Sequence, residues 1–385
     1  MTIPSPADCL QYFRKQQTSL LDTIEQLVTI ESPSDVKAAV DRLSTVLASR
    51  FSEIGGKVKV HASERFGNHL QIDFGSSRSS RKPILLLGHM DTVYPIGTIA
   101  KMPFRVSEGR VSGPGVLDMK GGIALALHVM EALQGWSDGK LQNPVTVLLV
   151  SDEEVGSTSS RHITEKLARR ASAVLVLEPA AGLKGAVKTA RKGVGEYTMC
   201  VEGVAAHAGL DPQKGHSAIL ELSRQVLRLS EFANGNNGTT LNVGVARGGT
   251  RSNVVPAEAE AVIDVRITTK DAGEDLDRRL KSLQPFDPEC KVVLEGGINR
   301  PPMERTRGVI SLYEKAAQVA KQLDWDLEEA SVGGGSDGNF TAALGIPTLD
   351  GLGVVGEGAH SPGEFILESE LPRRAALLAG LISAL

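Results

Sequence analysis

His89 and Asp91 stand one residue apart at the end of the apolar run Leu85-Leu86-Leu87-Gly88. A short unbroken apolar run reads as a buried strand, and ligands of open α/β sheets bind just beyond the carboxyl ends of strands. At such a tip a histidine can offer one ring nitrogen to a metal. A nearby carboxylate can accept the other ring N–H and fix the tautomer. A lone His-x-Asp is ordinarily a strand followed by a polar turn. Here, however, the pattern of apolar strand then acid recurs twice. Val145–Val150 runs into Ser151-Asp152-Glu153-Glu154, and Ala173–Leu177 runs into Glu178-Pro179.

Two further residues join these strand ends. Asp118 lies in the glycine-bounded loop from Gly113 to Gly122, ahead of an apolar helix at Ile123–Leu133; read alone, it is a helix cap. His360 lies in the loop Gly356–Glu364. His89, Asp118, Glu154, Glu178 and His360 together would occupy one edge of one sheet. Two histidines and three carboxylates suit zinc, and cobalt or manganese less specifically. Five ligands are too many for one catalytic zinc, which keeps about three protein ligands and an open position. They suit two metals if one carboxylate bridges, and Asp118, short and held in a tight turn, is the best bridge. Glu153 adjoins a ligand, but neighbouring side chains diverge. That leaves it free to take a proton from an attacking water and pass it to a leaving nitrogen.

The elements that must position these residues follow in order. Helices are expected at Ala7–Ile30 and Val36–Ile54. Strands at Lys57–His61 and Leu70–Phe74 precede a serine-rich turn at 75–82, then the Ile84–Leu87 strand. A hairpin is expected around Glu108-Gly109 and a helix at Ile163–Arg170. From Gly195 the order becomes strand, helix, strand, strand, helix, strand, ending near Glu295, which is that of a ferredoxin-like split βαβ unit. A helix at Ile310–Leu323, a short strand at Ile346–Leu349 and a final helix opened by Pro372 complete the chain. The expected class is therefore α/β, with a mixed-sheet catalytic domain in two parts, residues 1–188 and 299–385, and an inserted domain at 189–298.

The chain has 385 residues and a formal charge of −4, with 41% hydrophobic and 23% charged residues, which suggests two ordinary globular domains. Neither the charge nor its distribution suggests a nucleic-acid or membrane partner. No segment approaches the roughly 20 apolar residues of a membrane span, so a cytoplasmic location is expected. Cys9, Cys200 and Cys290 are scattered and form no zinc-binding pair. Gly351-Leu352-Gly353-Val354-Val355-Gly356 has the glycine spacing of a dinucleotide loop, but no helix can start soon enough after it.

The segments Gly88–Val93, Gly113–Gly122, Asp152–Ser157, Glu178-Pro179, Ala206–Gly209 and Gly358–Pro362, in this order, resemble the motifs of the M20 metallopeptidase family, and within it the carboxypeptidase G2-like glutamate carboxypeptidases. The resemblance implies two zinc ions per chain: one on His89, Asp118 and Glu178, the other on Asp118, Glu154 and His360. It implies a cis peptide after Asp118, Glu153 as general acid and base, and Asp91 as the residue that orients His89. The inserted domain becomes a lid and dimerisation domain of a homodimer. In it His207 helps stabilise the oxyanion formed at the amide, and is expected to serve the other chain's site. Asn253, Arg266 and Arg300 match positions that reach toward substrate. Arg300 suits a free carboxylate through its bidentate fork. The glycine run at Gly334 and Gly335 lets backbone approach substrate closely.

The expected activity is hydrolysis of an amide next to a free carboxylate, most simply release of a C-terminal glutamate. An N-acyl-amino-acid deacylase, of the acetylornithine deacetylase or succinyl-diaminopimelate desuccinylase kind, would use the same machinery. A non-enzymatic metal or peptide binder on the same fold is the rival from another class. Glu153 argues against it, since binding alone needs no proton shuttle.

Overall fold

The structure, a computed structural model of the chain, describes residues 4–75, 80–232 and 238–385. Met1-Thr2-Ile3 and the middle of the turn expected at 75–82 lie outside the described residues. Two compact units emerge. The first comprises Met1–Ala190, Arg305–Val332 and Ser336–Leu385; the second comprises Arg191–Glu304 and Gly333–Gly335.

The first unit is built on a six-stranded mixed sheet. Val145–Val150, Ile84–His89, Ala173–Val176 and Thr348–Leu349 lie side by side and parallel. His69–Phe74 and Lys57–His61 extend it antiparallel beyond Val145–Val150. Register aligns the strand ends: His89 faces Val150, and Leu87 faces Val176. The residues that follow, Asp91, Glu153-Glu154 and Glu178, therefore leave the sheet at one edge.

Both faces of this sheet are covered, which explains why its central strands read as unbroken apolar runs. Leu86, Val147, Leu149 and Leu175 enter a core with the helices Gly121–Ser137 and Leu371–Ala384. Leu85, Leu87, Leu148 and Val176 enter a second core with Ile163 and Ala168 of the helix Arg161–Ala168. Gly122 sets the approach of the first helix. A Cβ there would collide with the carbonyl of Leu177, the residue before Glu178. The glycine thus brings the helix that follows Asp118 close to the strand end that carries Glu178.

A smaller four-stranded sheet joins Gly356–Glu357, Phe365–Leu367, Arg110–Ser112 and Arg105–Ser107. It seats the His360 loop next to the turn that carries Asp118, although the two are far apart in sequence. The expected hairpin around Glu108-Gly109 forms its edge.

The second unit is a four-stranded antiparallel sheet in the order Thr240–Gly248, Glu258–Ile267, Gly193–Glu202, Lys291–Arg300. The helices Ala218–Phe232 and Lys270–Lys281 cover one face, packing Leu222, Leu229, Leu276 and Leu280 against Tyr197, Met199, Ile263 and Val265. The last strand stays paired as far as Arg300, opposite Val194, so the unit runs past the boundary expected at 298. Gly333–Gly335 belong to it as well, because Arg191 Nη1 donates to the carbonyls of Gly334 (3.0 Å) and Gly335 (3.2 Å).

Other differences from the sequence reading have local causes. The single helix expected at Ala7–Ile30 is two, Pro6–Lys15 and Gln17–Thr29. The chain leaves helical geometry at Gln16, where ψ is 3°, and both segments still bury their apolar residues in the same core. The short strands Val187–Arg191 and Glu329–Val332, and the helix Gly338–Ala343, had no period long enough to read. The Gly351–Gly356 run carries no dinucleotide helix. Instead, fully buried Arg374 donates to the carbonyls of Gly351, Gly353 and Gly185. No helix among the described residues is long and apolar enough to cross a membrane.

Candidate metal centre

The five residues read as one ligand set form two groups that share one member. His89, Asp118 and Glu178 make one; Asp118, Glu154 and His360 make the other. Within each group one ligand atom per residue lies within 4.8 Å of the others. His89 Nε2 is 3.0 Å from Asp118 Oδ1 and 3.5 Å from Glu178 Oε1. His360 Nε2 is 3.3 Å from Asp118 Oδ2 and 3.2 Å from Glu154 Oε2. Asp118 thus turns one oxygen to each histidine. Ligands ~2.1 Å from a tetrahedral zinc lie roughly 3.4 Å from one another, which is the spacing seen here.

The protonation logic of His89 asks for a cation. Its Nδ1 lies 2.9 Å from the main-chain carbonyl of Asp91, and a carbonyl accepts only from N–H. In the neutral ring Nε2 then bears a lone pair, and that lone pair faces two carboxylate oxygens. A proton or a metal must stand between them. Glu154 Oε1 is buried and has no hydrogen-bond partner, as befits an oxygen reserved for a metal. The residues fit a pair of divalent ions.

The charges respond as this geometry requires. Burial opposes charge on His89, which is only 2% exposed, but the nearby carboxylates of Asp118, Asp91 and Glu178 hold its pKa well above the ordinary histidine value. Asp118 and Glu154 raise His360 to about 10. Burial pushes Asp118 upward, yet the two facing rings outweigh it and hold its carboxyl far below the usual range. Glu154 is raised, chiefly by burial.

Each ligand is held by a different device. The Asp91 side chain, expected to take the His89 N–H, has its carboxylate 3.5 Å from Nδ1; the nearer acceptor is its own carbonyl. The carboxylate accepts instead from the backbone N–H of Glu153 (3.2 Å) and Glu154 (3.1 Å) and from Ser34 Oγ (2.7 Å). Asp91 therefore locks the acidic turn onto the histidine strand. Asp152 is fully buried and turns away, accepting from the N–H and hydroxyl of Ser159 at 2.7 and 2.8 Å. Asp118 does not act as a helix cap. It lies in an irregular turn, Val116–Lys120, after Gly115 at φ +72° and before a cis Asp118–Met119 peptide. His360 itself is left-handed, at φ +63°, a costly conformation for a non-glycine residue that is typical of functional loops.

The expected substrate-side residues all lie in the second unit. Ala208 N–H donates to the Asn253 carbonyl at 3.0 Å, and His207 pairs with Val254, so His207 and Asn253 are neighbours. Arg300 is 6% exposed, and its Cδ lies where a Cβ on Gly335 would come within 3.0 Å. The Arg266 fork grips Asp264 at 3.0 and 2.9 Å. Sequence reasoning missed Ser34, Arg191 and Glu364. Only Glu364 left a signal: an acid directly before the apolar strand Phe365-Ile366-Leu367, four residues after His360.

Residues 85–384 match the profile of Peptidase family M20/M25/M40. The chain belongs to this family. It is 31% identical over 376 residues to Carboxypeptidase G2 of Pseudomonas sp. (strain RS-16), covering 95% of this chain and 89% of that protein. It is 28% identical over 329 residues to the Acetylornithine deacetylase of Myxococcus xanthus, covering 80% and 82%. The crystal structure of aminopeptidase PepT from Bacillus cereus superposes with a TM-score of 0.79 at 22% identity, covering 96% of this chain and 98% of that one, which shows a shared fold. M20 proteins generally bind a dinuclear metal site. This family membership makes the protein an enzyme, a hydrolase of the metallopeptidase class, and sets aside the reading as a non-enzymatic binder.

Because both histidines are held protonated near neutrality when no metal competes, metal uptake must expel their protons. At pH 7, binding of two divalent ions should release about two protons per chain, one from each ring. The release should shrink only as pH rises through about 10, where His360 gives up its proton even without metal. Calorimetry in buffers of different ionisation enthalpy measures it, and metal uptake at pH 7 without proton release would exclude the two rings as ligands.

Proposed function

We propose that the protein is a dizinc hydrolase that cleaves an amide bond next to a free carboxylate, releasing a C-terminal glutamate or a similar amino acid. The observation that carries this reading is the Asp118 carboxylate, divided between two groups that each pair a histidine with a second carboxylate. Cobalt or manganese would suit the same ligands. When bound, such a metal pair supplies Lewis acidity and a water acidic enough to attack near neutral pH.

The chain's own residues supply the rest. His89, Asp118 and Glu178 would hold one ion, and Asp118, Glu154 and His360 the other. Asp91 fixes His89 through its carbonyl and the acidic turn through its carboxylate. Glu153, half-buried beside Glu154, takes the proton of the attacking water on its carboxylate and delivers it to the leaving nitrogen. Such transfers are worth on the order of 10²–10⁴ in rate. Glu153→Gln should therefore lose most of kcat while keeping two metals by elemental analysis, whereas Glu154→Gln should lose metal. Near-normal kcat in Glu153→Gln removes the assigned role.

Arg300 takes the free carboxylate of the substrate, His207 stabilises the developing oxyanion, and Asn253 assists. The Gly334-Gly335 backbone flanks the substrate. Arg266, already engaged with Asp264, is a secondary contact. Similarity to Carboxypeptidase G2 supports a carboxypeptidase; similarity to an acetylornithine deacetylase supports the second reading, an N-acyl-amino-acid deacylase. A panel of N-acyl-glutamates, other N-acyl amino acids and short peptides, each as acid and amide, separates the two. Only acids should turn over, and Arg300→Ala should lower kcat/KM for them by roughly 10- to 100-fold, the loss of a charged hydrogen-bonded contact. Equal turnover of acid and amide would contradict the assignment.

The protein acts as a homodimer in this reading. The helix Ala218–Phe232 and the edge strand Thr240–Gly248 expose Leu220, Leu227 and Val245, with Leu227 69% exposed. Exposed apolar side chains beside an open strand edge invite pairing with another copy. Light scattering should give twice the chain mass, and Leu227→Glu should reduce it to one. A monomeric native protein would end this part of the proposal.

A further inference from the structure

We infer that Glu364 is the positioning residue of the shared carboxylate: its buried side chain sets the turn that aims the two oxygens of Asp118 at the two histidines. This rests on the metal reading of that site. Glu364 is fully buried. Its Oε2 accepts from Gly115 N–H at 3.0 Å, and its Oε1 accepts from Leu117 N–H at 2.7 Å and Asp118 N–H at 3.0 Å. Three backbone donors of the bridging turn thus converge on one carboxylate, and one of them belongs to Asp118 itself.

The arrangement is specific to a carboxylate. These N–H groups point inward, where an irregular turn offers them no helical acceptor. Two oxygens with four lone-pair directions can serve three donors. A glutamine cannot, because its NH₂ end would meet at least one N–H. The turn is also confined from outside. A Cβ on Gly115 would come within 2.6 Å of Thr92 Cγ2, so the backbone cannot relax in that direction.

Glu364 ties the two metal-side loops to each other. It closes the loop that carries His360, donating its own N–H to Ser361 O at 3.1 Å, and the strand after it pairs Phe365 with Ser112. The Tyr94 hydroxyl donates to the same Ser361 carbonyl at 2.9 Å and also contacts the Glu364 carboxylate. One side chain therefore joins the Asp118 turn and the His360 loop, and Tyr94 braces it from the Asp91 side. Outer carboxylates of this kind govern metal affinity, and their loss typically costs 10- to 100-fold.

The test is metal affinity, read by competition with a chromophoric zinc chelator, alongside the thermal midpoint of the metal-free protein. Wild type should take up two zinc ions per chain; if it takes up none, the metal reading itself fails. Glu364→Gln should still fold, but its zinc Kd should rise about 10- to 100-fold, with excess zinc restoring two ions. Because Asp118 is shared, both ions should weaken. Tyr94→Phe should weaken zinc in the same direction by a smaller factor, with the metal-free midpoint unchanged. If Glu364→Gln keeps wild-type zinc affinity while the wild type binds two ions, Glu364 is merely structural and the inference is overturned. If Glu364→Gln does not fold, Tyr94→Phe decides: unchanged zinc affinity overturns the inference.

Discussion

One carboxylate faces two imidazoles, and the surrounding structure keeps it there. Asp118 offers Oδ1 to His89 and Oδ2 to His360. Neither oxygen could be spared. If the side chain turned by one rotamer, one group would keep its histidine and outer carboxylate but lose the shared ligand. Much of the local architecture follows from preventing that turn: Gly115 at φ +72°, the three N–H groups gathered on Glu364, and the helix that starts at Gly121.

The electrostatics follow from the same constraint. Asp118, Glu154 and Glu178 bring three negative charges into a partly buried space, where like charges resist one another's ionisation. Two imidazolium rings offset most of this in the metal-free protein, and divalent ions would offset it in the loaded one. His89 is buried and His360 half-exposed, at 2% and 50% of their side-chain surface. The solvent-facing side of the centre is therefore the His360 side, carried by a loop, while the His89 side is fixed by a central strand. A strand tip gives precision and a loop gives access.

The parallel sheet explains why so many acids reach one place. Parallel neighbours put their carboxyl ends on one edge, and in open sheets that edge is where ligands bind. The fourth parallel strand, Thr348–Leu349, also ends in an acid. Asp350 is fully buried and accepts from Ser336 Oγ at 2.6 Å and from the Gly351 N–H. That acid serves the fold, which shows that an acid at a strand end is not by itself a ligand. The difference lies in whether nearby N–H and O–H groups satisfy it, as they do Asp350, or leave an oxygen open, as in Glu154.

By itself the sequence determined the longer strands and helices of both units, the α/β class, and the five residues that the structure gathers into two groups. His89, Glu154 and Glu178 were legible because buried parallel strands leave unbroken apolar runs with the ligand types at or just beyond their ends. Asp118 and His360, which lie in loops, were legible from their side-chain types and the M20 motifs around them. Only the tertiary structure decided which Asp118 oxygen meets which ring. It also showed that Asp91 holds His89 by its carbonyl rather than its carboxylate, and that Glu364 carries the Asp118 turn. Those contacts join residues as much as 249 positions apart. They exist because the strand Phe365–Leu367 pairs beside Arg110–Ser112, and long-range pairing of two three-residue strands has no period to read. A side chain's type can announce a ligand, but what orients it is set by whichever backbone groups the fold brings within hydrogen-bonding distance.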